Sequence, residues 1–161
     1  MSKTNELFDQ LRVLPSIALP EDATEEGFKK INQVLVLIGE INDKATSIAI
    51  NATQEAAGLR VKRNVLKAKY DLAKADLLAN DEDVKGGKNQ SERESVADVK
   101  LKAERVDFEK ADAGYRDIES LLAACDFTLS NAKMQKELAG HKLNISQREI
   151  ELGMITGDSI R

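Results

Sequence analysis

The chain has 161 residues and 17.7 kDa, with 42% hydrophobic and 32% charged residues and a formal net charge of −4. Two prolines, no tryptophan and 4% aromatics point to an all-α, coiled-coil-like protein rather than a β-sandwich or an α/β enzyme. One cysteine and one histidine exclude a disulfide framework and a Cys/His zinc site, and the longest apolar uncharged run, at 31–39, falls far below the roughly 18 residues of a membrane span.

The amino terminus lacks a basic, apolar, small-residue signal, so the expected setting is cytoplasmic, with no membrane partner. Residues 1–20 form an N-terminal arm in which Pro15 and Pro20 bracket an extended connection, leaving room for only a short helix before Pro15. No proline follows, and the acidic opening Glu21, Asp22, Glu25 and Glu26 suits the positive end of a helix dipole, so a long helix is predicted from about residue 22. Polar residues and Gly86-Gly87 at 80–90 break the pattern as a hairpin tip. Ser91 and Glu94 stand in the S-x-x-E arrangement, which predicts a capped second helix from Ser91. That helix is expected to reach Ala139, with Gly140 as a stop and 141–161 as a C-terminal extension, its 143–152 portion a weaker helical segment and its last residues frayed.

Both arms carry heptad seams. Ile31, Leu35, Ile38, Asn42, Ala45, Ala49, Ala52, Ala56, Leu59, Arg63, Leu66, Tyr70, Ala73 and Leu77 step by three and four, and so do Ala97, Leu101, Glu104, Phe108, Ala111, Tyr115, Ile118, Leu122, Cys125, Leu129 and Ala132. This is the pattern of a long antiparallel helical hairpin over 21–140. Folding near Lys85 sets Leu66 close to Phe108, and it sets small against large where Ala56-Ala57-Gly58 meets Tyr115, Ala52 meets Leu122 and Ala45 meets Leu129. The polar seam residues Asn42 and Arg63 read as register-setting. A second apolar row (Val34, Ile41, Ile48, Val65, Leu72, Val99, Val106, Leu121, Phe127, Met134) exceeds what one hairpin stripe covers and predicts homo-oligomerisation. Gly39 and Gly58, costly inside a helix, predict a bend or a close helix approach.

Nothing in the pattern asks for an enzyme, a metal or a cofactor. Gly86-Gly87-Lys88 lacks the spacing and the strand-loop-helix setting of a phosphate loop. Cys125 on the seam reads as core filling, and His141 as a solvated side chain. Charge is more informative. Residues 60–105 carry +3, against −4 before them and −3 after, so positive charge gathers toward the tip. It is densest in Arg60, Lys62, Arg63, Lys67, Lys69 and Lys74, with Lys85, Lys88 and Arg93 following. Arg60, Arg63, Lys67 and Lys74 share one flank while Lys62 and Lys69 lie roughly 120° away. Such stripes suit a phosphate backbone. With few aromatics, binding of single-stranded nucleic acid here would be sequence-tolerant and salt-sensitive. The same charges could instead form a solvated face paired with acidic helices.

The segment Lys62-Arg63-Asn64-Val65-Leu66-Lys67-Ala68-Lys69-Tyr70-Asp71 resembles the K-[KR]-x-x-L-K-A-[KR]-x-D stretch of the UvsY-type recombination mediators of T-even-like bacteriophages. Leu121-Leu122-Ala123-Ala124-Cys125 is similar to that family's L-L-x-x-C in the helix after the tip. The resemblance spans 20–140. It implies a helical protein that forms a ring-like homo-oligomer, binds single-stranded DNA and loads a RecA-like recombinase in place of single-strand-binding protein. The family's DNA-contacting basic pair corresponds to Lys67 and Lys69. The tip is longer than the family's, the carboxyl extension is additional, and aromatics are fewer. The alternatives are a structural coiled-coil component of a virion or its assembly, and a small helical inhibitor or adaptor of a host protein.

Overall fold

In the computed structural model the described residues are 3–19 and 25–151, with side chains described for 3–19 and 29–148. All regular structure among them is helical, in the order α1 (Lys3–Arg12), α2 (Glu25–Asn80), α3 (Glu82–Lys85), α4 (Gln90–Lys100) and α5 (Lys102–Glu151). The long helices α2 and α5 pack against each other as the arms of an all-α hairpin. None of the described helices is long and apolar enough to cross a membrane. Two compact units divide the chain, one of residues 1–51 with 121–161 and one of 52–120.

In the first unit the seam is wider than one stripe. Ile31, Ile38 and Ala45 of α2 are buried, as are Cys125, Ala132 and Ala139 of α5. Ile41, Ile48 and Leu121 from the second apolar row are buried with them. The second apolar row is thus covered only in part in this unit, since Phe127 and Met134 of the same row are exposed. The N-terminal arm supplies part of that cover: Leu14 and Ile17 pack with Val34, Leu35 and Leu37 on the cluster of Ile38, Ile41 and Ala132. Pro15 keeps that connection out of helix, so it lies across α2 as an extended strap. The short α1 that precedes it buries Leu7 and Thr4.

Gly140 does not stop α5. The helix runs through it to Glu151 and buries Ala139 and Ser146 on either side, because one half-buried glycine costs only about 1 kcal/mol and packed neighbours outweigh it. Gly39 and Gly58 have nothing within 4 Å of an added Cβ, so neither marks a close helix approach. The predicted start of the long helix near residue 22 and the frayed terminus at 153–161 lie outside the described residues.

In the second unit Ala97, Leu101, Ala111 and Ile118 are buried on the second arm, and every α2 seam residue from Ala52 to Leu77 is at least partly covered. Leu66 borders a groove with Asp107 and Ala111, close to the register expected from the fold-back. The tip is more ordered than a flexible loop. Asp81 caps α3 by accepting from the Val84 N–H at 3.1 Å, and Val84 is fully buried. Lys100 of α4 reaches across to Asp81 at 2.7 Å and Asp83 at 2.9 Å. The second arm starts one residue before Ser91: Asn89 is the N-cap, its side chain accepting from the Glu92 N–H at 2.9 Å, while Glu92 accepts from the Lys88 N–H at 2.8 Å. Asn89-x-x-Glu92 thus does the capping expected of Ser91 and Glu94. Asparagine competes well with serine at this position and already has the extended conformation required. At Leu101 the backbone departs from helix, but Leu101 N–H still donates to Ala97 and Arg105 N–H to Leu101, both at 2.9 Å. The ladder crosses the kink.

Candidate nucleic-acid interface

The nine expected site residues fall into three groups. The first is tied into the hairpin. Arg63 Nε donates to Asp112, which also accepts from Arg116 Nη2 at 2.7 Å. The Asp112 side chain is 12% exposed and the Arg63 side chain 33%. Arg63 also lies 5.5 Å from the centroid of the Tyr115 ring, within cation–π range. The hydrogen bond from Arg63, followed by the charge of Arg116, holds the Asp112 carboxyl below its ordinary value. Arg63 is thus paired with Asp112 of the facing helix.

Lys74 is tied in the same way. Its Nζ donates to Asp98 Oδ1 at 2.6 Å, the Tyr70 hydroxyl donates to the same carboxylate oxygen at 2.6 Å, and Lys74 sits 5.8 Å from the Tyr70 ring centroid. Tyr70 stacks on Phe108 with centroids 6.5 Å apart. Hydrogen bonds from Lys74 and then Tyr70 lower the Asp98 carboxyl, and the Asp98 hydrogen bond raises Lys74. Burial, then the Asp98 bond, pushes the Tyr70 phenol up. Neither Arg63 nor Lys74 is spare charge.

The second group is exposed on α2. Arg60, Lys62 and Lys69 face solvent and take part in no ion pair among the described residues. Lys67 makes a 2.8 Å pair with Asp71, both side chains about half exposed. An exposed i,i+4 pair of this kind contributes about 0.3–0.5 kcal/mol, so a phosphate readily displaces it. Lys62 and Lys69 stand seven residues apart on one flank, about 10 Å along the axis. Arg60 and Lys67 repeat that spacing on the other. Lys62 also borders a groove of about 330 Å³ with Leu59, Leu66, Asp107, Lys110 and Ala111. Lys110 and Asp107 of the facing helix, one cation and one acid, share this groove with Lys62.

The third group is at the tip. Lys85 and Lys88 are exposed and in no ion pair among the described residues, while Arg93 Nε donates to the Gly87 carbonyl at 3.0 Å. Arg93 thus closes the tip, and a Cβ on Gly87 would come within 2.9 Å of its side chain and 3.1 Å of its backbone nitrogen. These three are separated along the hairpin from the α2 group and do not form one patch with it.

Asp98 and Asp112 are the structural partners that inspection of the basic run alone misses. Their signal was available in the register, since a fold-back near Lys85 sets Arg63 opposite Asp112 and Lys74 opposite Asp98. Among the described residues no cluster of His, Cys, Asp and Glu could hold a metal ion. Cys125 is fully buried, and burial pushes its thiol up, away from thiolate reactivity. No family model, curated protein or solved structure matches the chain.

Proposed function

We propose that this chain is a non-enzymatic, cytoplasmic protein that binds single-stranded DNA as a homo-oligomer and acts as a recombination mediator, helping a RecA-like recombinase replace single-strand-binding protein. One observation carries the reading. Arg60, Lys62, Lys67 and Lys69 face solvent within ten residues of one rigid helix, while the nearby Arg63 and Lys74 are held inward by carboxylates. Within the single chain, none of the four exposed cations is tied to the facing helix by an ion pair among the described residues, and Lys67 makes only the weak Lys67–Asp71 pair along its own helix. The resemblance of positions 62–71 to the UvsY-type basic stretch supports the same assignment. Each patch is small, so affinity would come from several copies engaging one strand, as linked weak sites do. Such a particle binds DNA despite a net charge of −4 per chain, because the phosphate meets the local field and not the total.

A second reading is favoured by the exposed Phe127, Met134, Leu138 and Ile145 on α5, a row suited to a protein partner. In that reading the chain is a helical adaptor and the cations are a solvated face. Fluorescence anisotropy with a labelled single-stranded oligonucleotide separates the two. The mediator reading expects binding at low salt that weakens steeply as salt rises. Absence of binding at low salt would eliminate it.

A further inference from the structure

The outer face of α2 in the second unit carries a second heptad seam, distinct from the one packed on α5. Gly58, Val61, Val65, Ala68, Leu72, Ala75 and Ala79 alternate by three and four, and all are exposed. Val61, Val65 and Leu72 are 64%, 60% and 75% accessible, high values for side chains at a and d positions. The pattern has clear limits: the preceding positions on the same line, Gln54 and Asn51, are polar.

We infer that this face is a self-association surface, on which α2 of one copy pairs antiparallel with α2 of a second copy about a two-fold axis near Tyr70. Two independent features select this occupant. The first is size. With the axis there, Leu72 meets the second copy's Ala68, Val65 meets its Ala75, and Val61 meets its Ala79. Every layer sets a large side chain against an alanine, the condition for close interdigitation of two helices. Moving the axis half a heptad toward the amino terminus places Gly58 against Ala75 and leaves Ala79 without a partner. The second feature is charge. Beside the seam run Lys62, Lys69 and Asp76, the e positions that face each other in an antiparallel pair. The same axis brings Lys62 to within two residues, about 3 Å along the axis, of the second copy's Asp76, twice by symmetry. Lys69 then lies beside the second copy's Lys69 near the axis, one like-charge contact set against the two Lys62–Asp76 pairs. A parallel pairing places Asp71 against Asp76 and leaves both lysines without an acid.

An isologous contact of this kind is closed by its symmetry. It deepens the self-assembly part of the proposed function. It uses no nucleic acid, so its failure leaves the DNA reading to be decided by the anisotropy measurement alone. Arg60 and Lys67 lie on the flank away from the seam, and pairing would set two such flanks side by side in one particle.

Light scattering coupled to size exclusion, without DNA, reads the mass. The contact predicts an even multiple of 17.7 kDa that falls to half or less in Val65→Glu with Leu72→Glu, with helix content unchanged by circular dichroism. Lys62→Glu should also lower the mass, and Asp76→Lys in the same chain should restore it. Orientation is read by cross-linking: Ala68→Cys chains mixed with Leu72→Cys chains form disulfide-linked pairs, while neither links to itself. A monomer, an odd multiple, a mass indifferent to the glutamates, or self-linking of Ala68→Cys alone overturns the inference. If the double glutamate variant loses helix, the cysteine mixture decides.

Discussion

Ile118 is the seam residue whose removal most directly tests the hairpin of the second unit. Its side chain has 0% exposure, so nothing from solvent replaces what truncation removes. Ile118→Ala deletes three carbons, and at about 0.8 kcal/mol for each buried methylene-sized group the transfer loss alone is about 2.4 kcal/mol. A cavity adds to this, within the roughly 2–5 kcal/mol range of isoleucine-to-alanine changes in cores. A layer between two helices has open sides and collapses partly, which places the expected cost near 3 kcal/mol. Ile118→Val, one carbon smaller, should cost about 1 kcal/mol. Val99→Ala serves as the control: Val99 is 72% exposed, and its truncation should change stability by less than about 0.5 kcal/mol. Urea denaturation followed by far-ultraviolet circular dichroism measures all three. An Ile118→Ala cost below about 1 kcal/mol, or one equal to that of Val99→Ala, would refute the packing described here.

The lowered carboxyls of Asp98 and Asp112 stabilise the fold above the unfolded aspartate value of about 3.9 and lose that contribution as pH falls through their folded values. The melting temperature should therefore hold from neutral pH to about pH 5 and drop below about pH 4, less steeply in Asp98→Asn; an unchanged pH profile in that variant would contradict the pairing with Lys74. Asn89→Ala should cost about 1 kcal/mol through loss of the N-cap while Ser91→Ala stays near neutral, and the reverse order would return the cap to Ser91. Gly58→Ala, with open space around the new methyl, should stabilise by up to about 1 kcal/mol in the same urea titration, and a loss would reveal a neighbour at that position.

Much of the hairpin was legible because its seams are long and regular. From Ile31 to Leu77 and from Ala97 to Ala132 only Asn42 among the seam residues is fully exposed, so a period repeated over many turns located the buried face. The second apolar row was less legible because its fate depends on tertiary neighbours. Ile41 is buried in the cluster on which Leu14 and Ile17 pack, whereas Val65 and Leu72 on the same helix, and Phe127 and Met134 on α5, are exposed. The helix start at Asn89 was missed because serine and asparagine are near-equal caps and the choice between them rests on local backbone geometry. In the candidate interface, counting charges found the basic segment but could not sort it. Arg63 and Lys74 look like their neighbours in sequence, and only the fold-back register shows that Asp112 and Asp98 claim them.

That sorting is the core of the functional account, and it is tested by comparing two variants in one assay. Single-stranded DNA affinity, measured by anisotropy at low salt, should fall at least severalfold in Lys67→Ala with Lys69→Ala and lose part of its salt dependence, since removed phosphate contacts no longer release counterions. Lys74→Ala should leave DNA affinity close to that of the unaltered protein while lowering thermal stability, because its charge is engaged by Asp98. Equal losses from the two variants, or a loss confined to Lys74→Ala, would contradict the assignment of the exposed α2 cations as the nucleic-acid contact.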